Sequence, residues 1–164
     1  MKILTTQLTA LFQRIAQQEE TIQDIARLLA QAAVGEGTIY LAAFGEMKAV
    51  AIAALEGTEP LSSLREWKPE SYLTSADRVF ILAKKDEGDE LAGRLSDAAI
   101  PFAMLSAESK QSDLPEVMLS LGIDGGILPA ESGGVNVVPH AMAALYVYHS
   151  IKGMIDEMLN EESY

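Results

Sequence analysis

Few side chains in this sequence have the type and spacing to do chemistry, and most lie where an apolar run meets a helix-like pattern. In YLAAFGEMKAVA (Tyr40 to Ala51) an apolar run reaches Gly45, and Glu46, Met47 and Lys48 open the next segment. The first turn of a helix offers free backbone N–H groups and the positive end of a dipole, so such a junction can hold an anion. A second junction, Lys84-Lys85-Asp86-Glu87-Gly88, sets two lysines and a glycine before another helical pattern. Lys84 or Lys85 could contact a phosphate there, while Asp86, Glu87, Asp89 and Glu90 could equally cap a solvated helix start. A third, LPAESGGVNVVPH, offers Ser132, Gly133, Gly134 and Asn136, small residues that permit close ligand approach and equally describe a turn.

Proton transfer needs a different set. The carboxylates nearest the first junction are Glu46 and Glu56, and the chain has two histidines, His140 and His149. Most surface carboxylates do no chemistry, and a lone helical histidine is more often packed or exposed than catalytic. Two histidines and no cysteine leave no metal site to expect and exclude thiol nucleophiles and disulfides. GxGxxG, Walker, GxSxG and HExxH patterns are all absent.

The elements that must position these residues follow from periodicity. Residues 6–33 read as a long helix, with Leu8, Ile15, Ile22 and Leu29 recurring every seven residues, and Gly35 and Gly37 stop it. Gln18 and Glu19 interrupt the apolar stripe, which argues against a long coiled coil. The wide apolar face of residues 1–35 is expected to serve partly as an oligomer contact. Strands are expected at Thr38–Phe44, Arg78–Ala83 and Pro101–Ser106, with a short one at Gly126–Leu128. Helices are expected at Glu46–Leu55, Glu87–Ala98, Leu114–Leu121 and Pro139–Leu159. Between Gly57 and Ala76 the pattern fits either a strand near Leu61–Arg65 or a short helix and a loop. Apolar strands alternating with helices imply a parallel sheet of about five strands between two helical layers, a doubly wound, flavodoxin-like α/β/α sandwich. In that architecture ligands sit outside the carboxyl ends of the strands, which nominates the three junctions above and Ser106–Ser112.

The 164 residues suit one domain, 1–164. The net charge of −12, from 24 acidic and 12 basic side chains, repels nucleic acid. No apolar run approaches the roughly 20 residues of a membrane span, and MKILTTQLTALFQRIAQQEE, with no continuous apolar h-region, is not expected to act as a signal peptide. A cytoplasmic protein is expected, with neither nucleic acid nor membrane as partner.

In this order the elements resemble a SIS (sugar isomerase) domain of the phosphoheptose-isomerase type over nearly the whole chain. TIYLAAFGEMKAVAIAALEG is similar to the family's first strand, loop and helix, and SADRVFILAKKDEGDEL to its strand and phosphate loop. IPFAMLSAES and VPHAMAALYVYHSIKGMIDEML resemble its next strand and closing helix. The resemblance implies a parallel sheet between helices, a dimer or tetramer, a phosphorylated sugar as ligand and no cofactor. It assigns ligand contacts to Gly45, Glu46, Lys48, Lys84, Lys85, Gly88, Ser132 and Gly133, and proton transfer to Glu56. The family's catalytic histidine aligns with Ala144, and His149 matches a second histidine. Glu46 stands where the family has a serine, and Lys84–Gly88 where it has Ser and Thr, as in a bacterial subgroup with altered phosphosugar loops. These departures favour a binding or regulatory module over an active aldose–ketose isomerase, with a ligand-free structural oligomer as a third reading.

Overall fold

A computed structural model describes residues 1–129 and 136–162. Five helices are α1 (Lys2–Ala16), α2 (Glu19–Val34), α3 (Lys48–Glu56), α4 (Asp89–Asp97) and α5 (His140–Glu162). Five strands are β1 (Ile39–Ala43), β2 (Leu64–Glu66), β3 (Arg78–Ala83), β4 (Phe102–Ser106) and β5 (Val117–Ser120). They form one parallel sheet in the order β2-β1-β3-β4-β5, with Ile39 opposite Leu64, Leu41 opposite Phe80, Ile81 opposite Met104 and Leu105 opposite Leu119.

The central strands are apolar at nearly every position because both faces are covered. Ile39, Leu41, Phe80, Leu82, Ala103, Leu105 and Leu119 point to the side that carries α1, α2, α3 and α5. Tyr40, Ala42, Val79, Ile81, Phe102, Met104 and Met118 point to the side of α4, where Leu91, Ala92 and Leu95 meet them. Trp67 and Leu73, from the segment between β2 and β3, complete that thinner layer. Asp77 pins the segment: its carboxylate accepts from the Thr38 N–H at 2.8 Å and from the Thr74 N–H at 2.7 Å.

The structure refines the sequence reading in four places. The N-terminal helical region is broken into α1 and α2 by a turn at Gln17-Gln18, whose N–H groups bond to Arg14 and Ile15. Polar side chains at this joint reach the end of β5: Arg14 donates to the Leu121 carbonyl at 2.9 Å and Gln18 to that of Ser120 at 3.4 Å. Ile15, Ile22, Ile25 and Leu29 are all buried in this chain's own core, so the heptad stripe faces inward. Between Gly57 and Ala76 the open choice resolves into the short strand β2. Leu114–Leu121 is not a helix, because Val117–Ser120 pairs with β4 as the edge strand. That pairing satisfies the outer backbone groups of β4, and three apolar residues before a serine are too few for periodicity to separate strand from helix. The fourth expected strand is absent. Gly126–Leu128 is irregular chain, held by the Ile127 N–H on the Val137 carbonyl and by the Leu128 N–H on the Asn136 side chain.

Candidate functional site

The strand order decides where a ligand can enter. Chain leaving β1 turns into α3 on one face, and chain leaving β3 turns towards α4 on the other. Neighbouring strands whose exits diverge leave a crevice outside their carboxyl ends. Gly45 and Glu46 lie on one bank of it, Lys84 and Lys85 on the other.

On the β1 bank, the Phe44 N–H still bonds to the Leu82 carbonyl at 3.0 Å, and the chain then turns sharply at Gly45. Gly45 has φ +59°, a left-handed conformation that glycine adopts without a steric penalty. A 3-10 turn, Gly45–Met47, leads directly into α3. The N–H groups of Gly45 and Glu46 meet no acceptor among the described residues, as expected for the first positions of a helical segment. Met47 is fully buried and anchors the turn, while Glu46 and Lys48 are exposed.

On the β3 bank, Lys84 and Lys85 are exposed, and among the described residues neither ammonium forms an ion pair. The loop satisfies part of its own backbone: the Lys85 N–H donates to the Glu87 carboxylate at 2.9 Å. Gly88 is buried. A Cβ there would lie 2.5 Å from the Ile81 Cγ2 and 3.6 Å from Phe44, so its small size lets α4 start close against the sheet. The lysines are therefore the open donors of this loop, and Gly88 serves its packing.

The loop after β4 is tied to its neighbours rather than open. The buried Ser106 Oγ lies 2.8 Å from the Glu108 carbonyl and 3.1 Å from that of Lys84. The Ser109 N–H and hydroxyl donate to Asp124 at 2.7 and 2.6 Å. Those two bonds hold the Asp124 carboxyl below its usual range. Lys110 Nζ lies 2.6 Å from Asp86 and 3.0 Å from Asp89. Burial works against the ammonium's charge, but the two carboxylates outweigh it and raise its pKa.

Glu56 and His149 do not meet at the crevice. Both are exposed. Glu56 ends α3, roughly 12 Å along the helix from Lys48, and lines a separate hollow with Ala43, Lys48, Glu66 and Trp67. His149 lies a similar distance along α5 from its start, beside Gly57 and Lys152. Ala144 is fully buried in the core. Ser132 and Gly133 lie outside the described residues. Asn136 accepts from the N–H groups of Leu128 and Val137 at 2.9 and 2.8 Å.

The structure brings a different pair together. His140, the first residue of α5, is buried, and its Nε2 bonds to the Ile123 carbonyl at 2.9 Å. Its Nδ1 lies 3.3 Å from Glu46 Oε1. Sequence reasoning placed Glu46 at the site and weighed His140 as a proton carrier without assigning it there. The only local signal was its position, just past Pro139 at the start of the closing helix. Among the described residues no cluster of His, Cys, Asp and Glu could hold a metal ion, and no helix is long and apolar enough to cross a membrane.

The fold has counterparts among known proteins. The model for the domain of unknown function DUF2529 matches residues 1–159. The chain belongs to the DUF2529 family. Within reach of it is the Bacillus subtilis (strain 168) protein YwjG, 36% identical over 171 residues that cover 98% of each chain. Two solved structures share the fold of this DUF2529 protein at 14% identity. The sugar isomerase domain of an RpiR transcription factor from Sphaerobacter thermophilus superposes with a TM-score of 0.61, covering 99% of this chain and 96% of that one. A candidate phosphosugar isomerase involved in capsule formation, from Bacteroides fragilis, gives 0.58 over 98% and 92%. The fold of this DUF2529 chain is thus that of SIS domains, as the order of its elements implied.

Proposed function

We propose that this protein binds a small phosphorylated sugar, or a related anionic carbohydrate derivative, in the crevice between the ends of β1 and β3, as a binding or regulatory module. The observation that carries this reading is the pairing of a left-handed glycine turn at Gly45 with two exposed, unpaired lysines across a strand-order reversal. A phosphate would accept from Lys84 or Lys85 and from the backbone N–H groups of the Gly45 turn. Sugar hydroxyls would donate to Glu46, which accepts from hydroxyls well. The SIS-type fold supports the ligand class. The position of His149, well down α5 from the crevice, weighs against the isomerase reading built on it and Glu56.

A cytoplasmic homo-oligomer fits the same picture. Ile52 on α3, and Val138 and Met142 at the start of α5, are exposed apolar side chains that a second copy would cover.

The test is isothermal titration with a panel of hexose and heptose phosphates. Wild type is expected to bind at least one with a dissociation constant near or below about 1 mM. The double change Lys84→Ala, Lys85→Ala should weaken that binding about tenfold or more, the worth of one lost charge-assisted hydrogen bond. Binding that is indifferent to the double change would remove this loop from the site, and silence across the whole panel would overturn the ligand class.

A further inference from the structure

His140 and Glu46 are held in an arrangement that dictates where hydrogens can be. The Ile123 carbonyl can only accept, so at 2.9 Å the His140 Nε2 must carry the hydrogen it donates. That leaves Nδ1 to face Glu46. The imidazole side chain is only 4% exposed, and Nδ1 lacks an aligned hydrogen-bond partner even though Oε1 is 3.3 Å away. In a neutral ring with hydrogen on Nε2, Nδ1 is a bare lone pair. A bare lone pair facing a carboxylate is repulsive, and a buried polar atom left unpaired is costly.

We infer that Glu46 and His140 form one proton-sharing unit, in which a single proton lies between Oε1 and Nδ1 and cancels the Glu46 charge on the β1 bank of the crevice. This inference rests on the ligand reading above for its purpose and on the Glu46–His140 geometry alone for its existence. Glu46 is the half of the pair that reaches solvent, with a side chain 52% exposed. It can touch a ligand, whereas His140 acts through it as a positioning residue. With the proton in place, the pair is neutral overall and does not repel a phosphate at the Gly45 turn. Once the proton is lost, a carboxylate stands on that bank opposite the lysines.

Among the described residues no other charged group on the elements around His140 is bonded to or paired with it. Arg14 of α1 donates to the Leu121 carbonyl, and Asp124, next to Ile123, is bonded by Ser109. Glu19 of α2 sits by Tyr146 and Ser150, further along α5. Lys48 of α3 lines the separate hollow with Glu56 and Glu66.

The test is nitrogen NMR of protein labelled at its histidine rings, with His149→Gln used to assign the two residues. At about pH 6, where imidazole chemistry is accessible, His140 should show hydrogen on Nε2 in every sample. The Nδ1 signal should be that of a nitrogen sharing a hydrogen with a carboxylate in wild type and of a bare or amide-bonded nitrogen in Glu46→Gln. Hydrogen on Nδ1 with a bare Nε2 would overturn the inference, as would a bare Nδ1 signal identical in wild type and Glu46→Gln. Titration with a hexose phosphate separates the two claims. Failure of every sugar phosphate to bind, with the NMR result as expected, would remove the ligand reading and leave the proton-sharing pair standing.

Discussion

Lys110 Nζ lies 2.6 Å from Asp86 Oδ1, joining the loop after β4 to the loop after β3 that carries the two open lysines. The ammonium is largely buried, with its side chain 10% exposed, while Asp86 is mostly in solvent. The Lys110 hydrogen bond, before any longer-range charge, holds the Asp86 carboxyl below its usual range. The Lys85 charge adds a smaller pull on the same carboxylate, so Lys110 takes the larger share of an acid that stands next to the open lysines.

Lys110→Met keeps the bulk of the stem and removes the charge. The expected cost is about 1 kcal/mol, because the carboxylates it frees are already hydrated, which corresponds to a fall of about 2–4 °C in melting temperature. Sugar-phosphate binding should weaken as well, since Asp86 and Asp89 are then free to compete for the lysines. Scanning calorimetry and titration of the same sample check both parts, and unchanged binding would show that the triad serves stability alone.

Gly45 and Gly88 should respond differently to alanine. Nothing lies within 4 Å of a Cβ at Gly45, so the cost is that of holding alanine at φ +59°, about 1 kcal/mol. At Gly88 a Cβ meets Ile81 at 2.5 Å, and the overpacking should cost about 2 kcal/mol. Thermal unfolding should therefore rank Gly88→Ala below Gly45→Ala. The reverse order would mean that α4 shifts easily to make room.

The contrast between these loops and the core explains what the sequence could disclose. β1, β3 and β4 were legible because both of their faces are buried, so IYLAA, RVFILA and FAMLS are almost wholly apolar. The joint between α1 and α2 also left a mark, in the polar Gln18 and Glu19. β5 left none that could be trusted: Val117–Ser120 is a strand because β4 has a free edge beside it, a tertiary fact. The Glu46–His140 contact is less legible still, since most of the chain separates its partners and only the packing of α5 against the Gly45 turn brings them together. Glu56 and His149 were chosen for their residue types and for the family they resemble, and neither criterion contains the direction in which α3 and α5 run away from the strand ends.

Asp124 gives the acid side of the stability profile. Its carboxyl is held below the ordinary 3.8 by the Ser109 hydroxyl first and the Ser109 N–H second. A depressed folded-state value contributes stability that is present above the ordinary value and is lost as pH falls through the lowered one. Urea unfolding should thus show a loss of stability below about pH 4, and Ser109→Ala should make that acid loss shallower while lowering stability at neutral pH. An acid limb of the same steepness in Ser109→Ala would assign it to other carboxylates.

Tyr148 governs the alkaline side. It is buried on α5, and its hydroxyl has no hydrogen-bond partner among the described residues. Burial, with a smaller contribution from the Asp156 charge, pushes its phenol up to about 12. A raised folded-state value means that the native protein keeps this proton after the unfolded chain has lost it. The corresponding stability is complete below about pH 10 and is lost as pH rises towards 12. Ultraviolet titration should find one of the five tyrosines ionising late. Tyr148→Phe removes that late step and flattens the alkaline fall in urea midpoint. At neutral pH the same change should be neutral or slightly stabilising, because it deletes a buried hydroxyl that has no partner. A loss of more than about 1 kcal/mol at neutral pH would mean instead that the hydroxyl is hydrogen-bonded in solution, since that is the usual worth of such a bond.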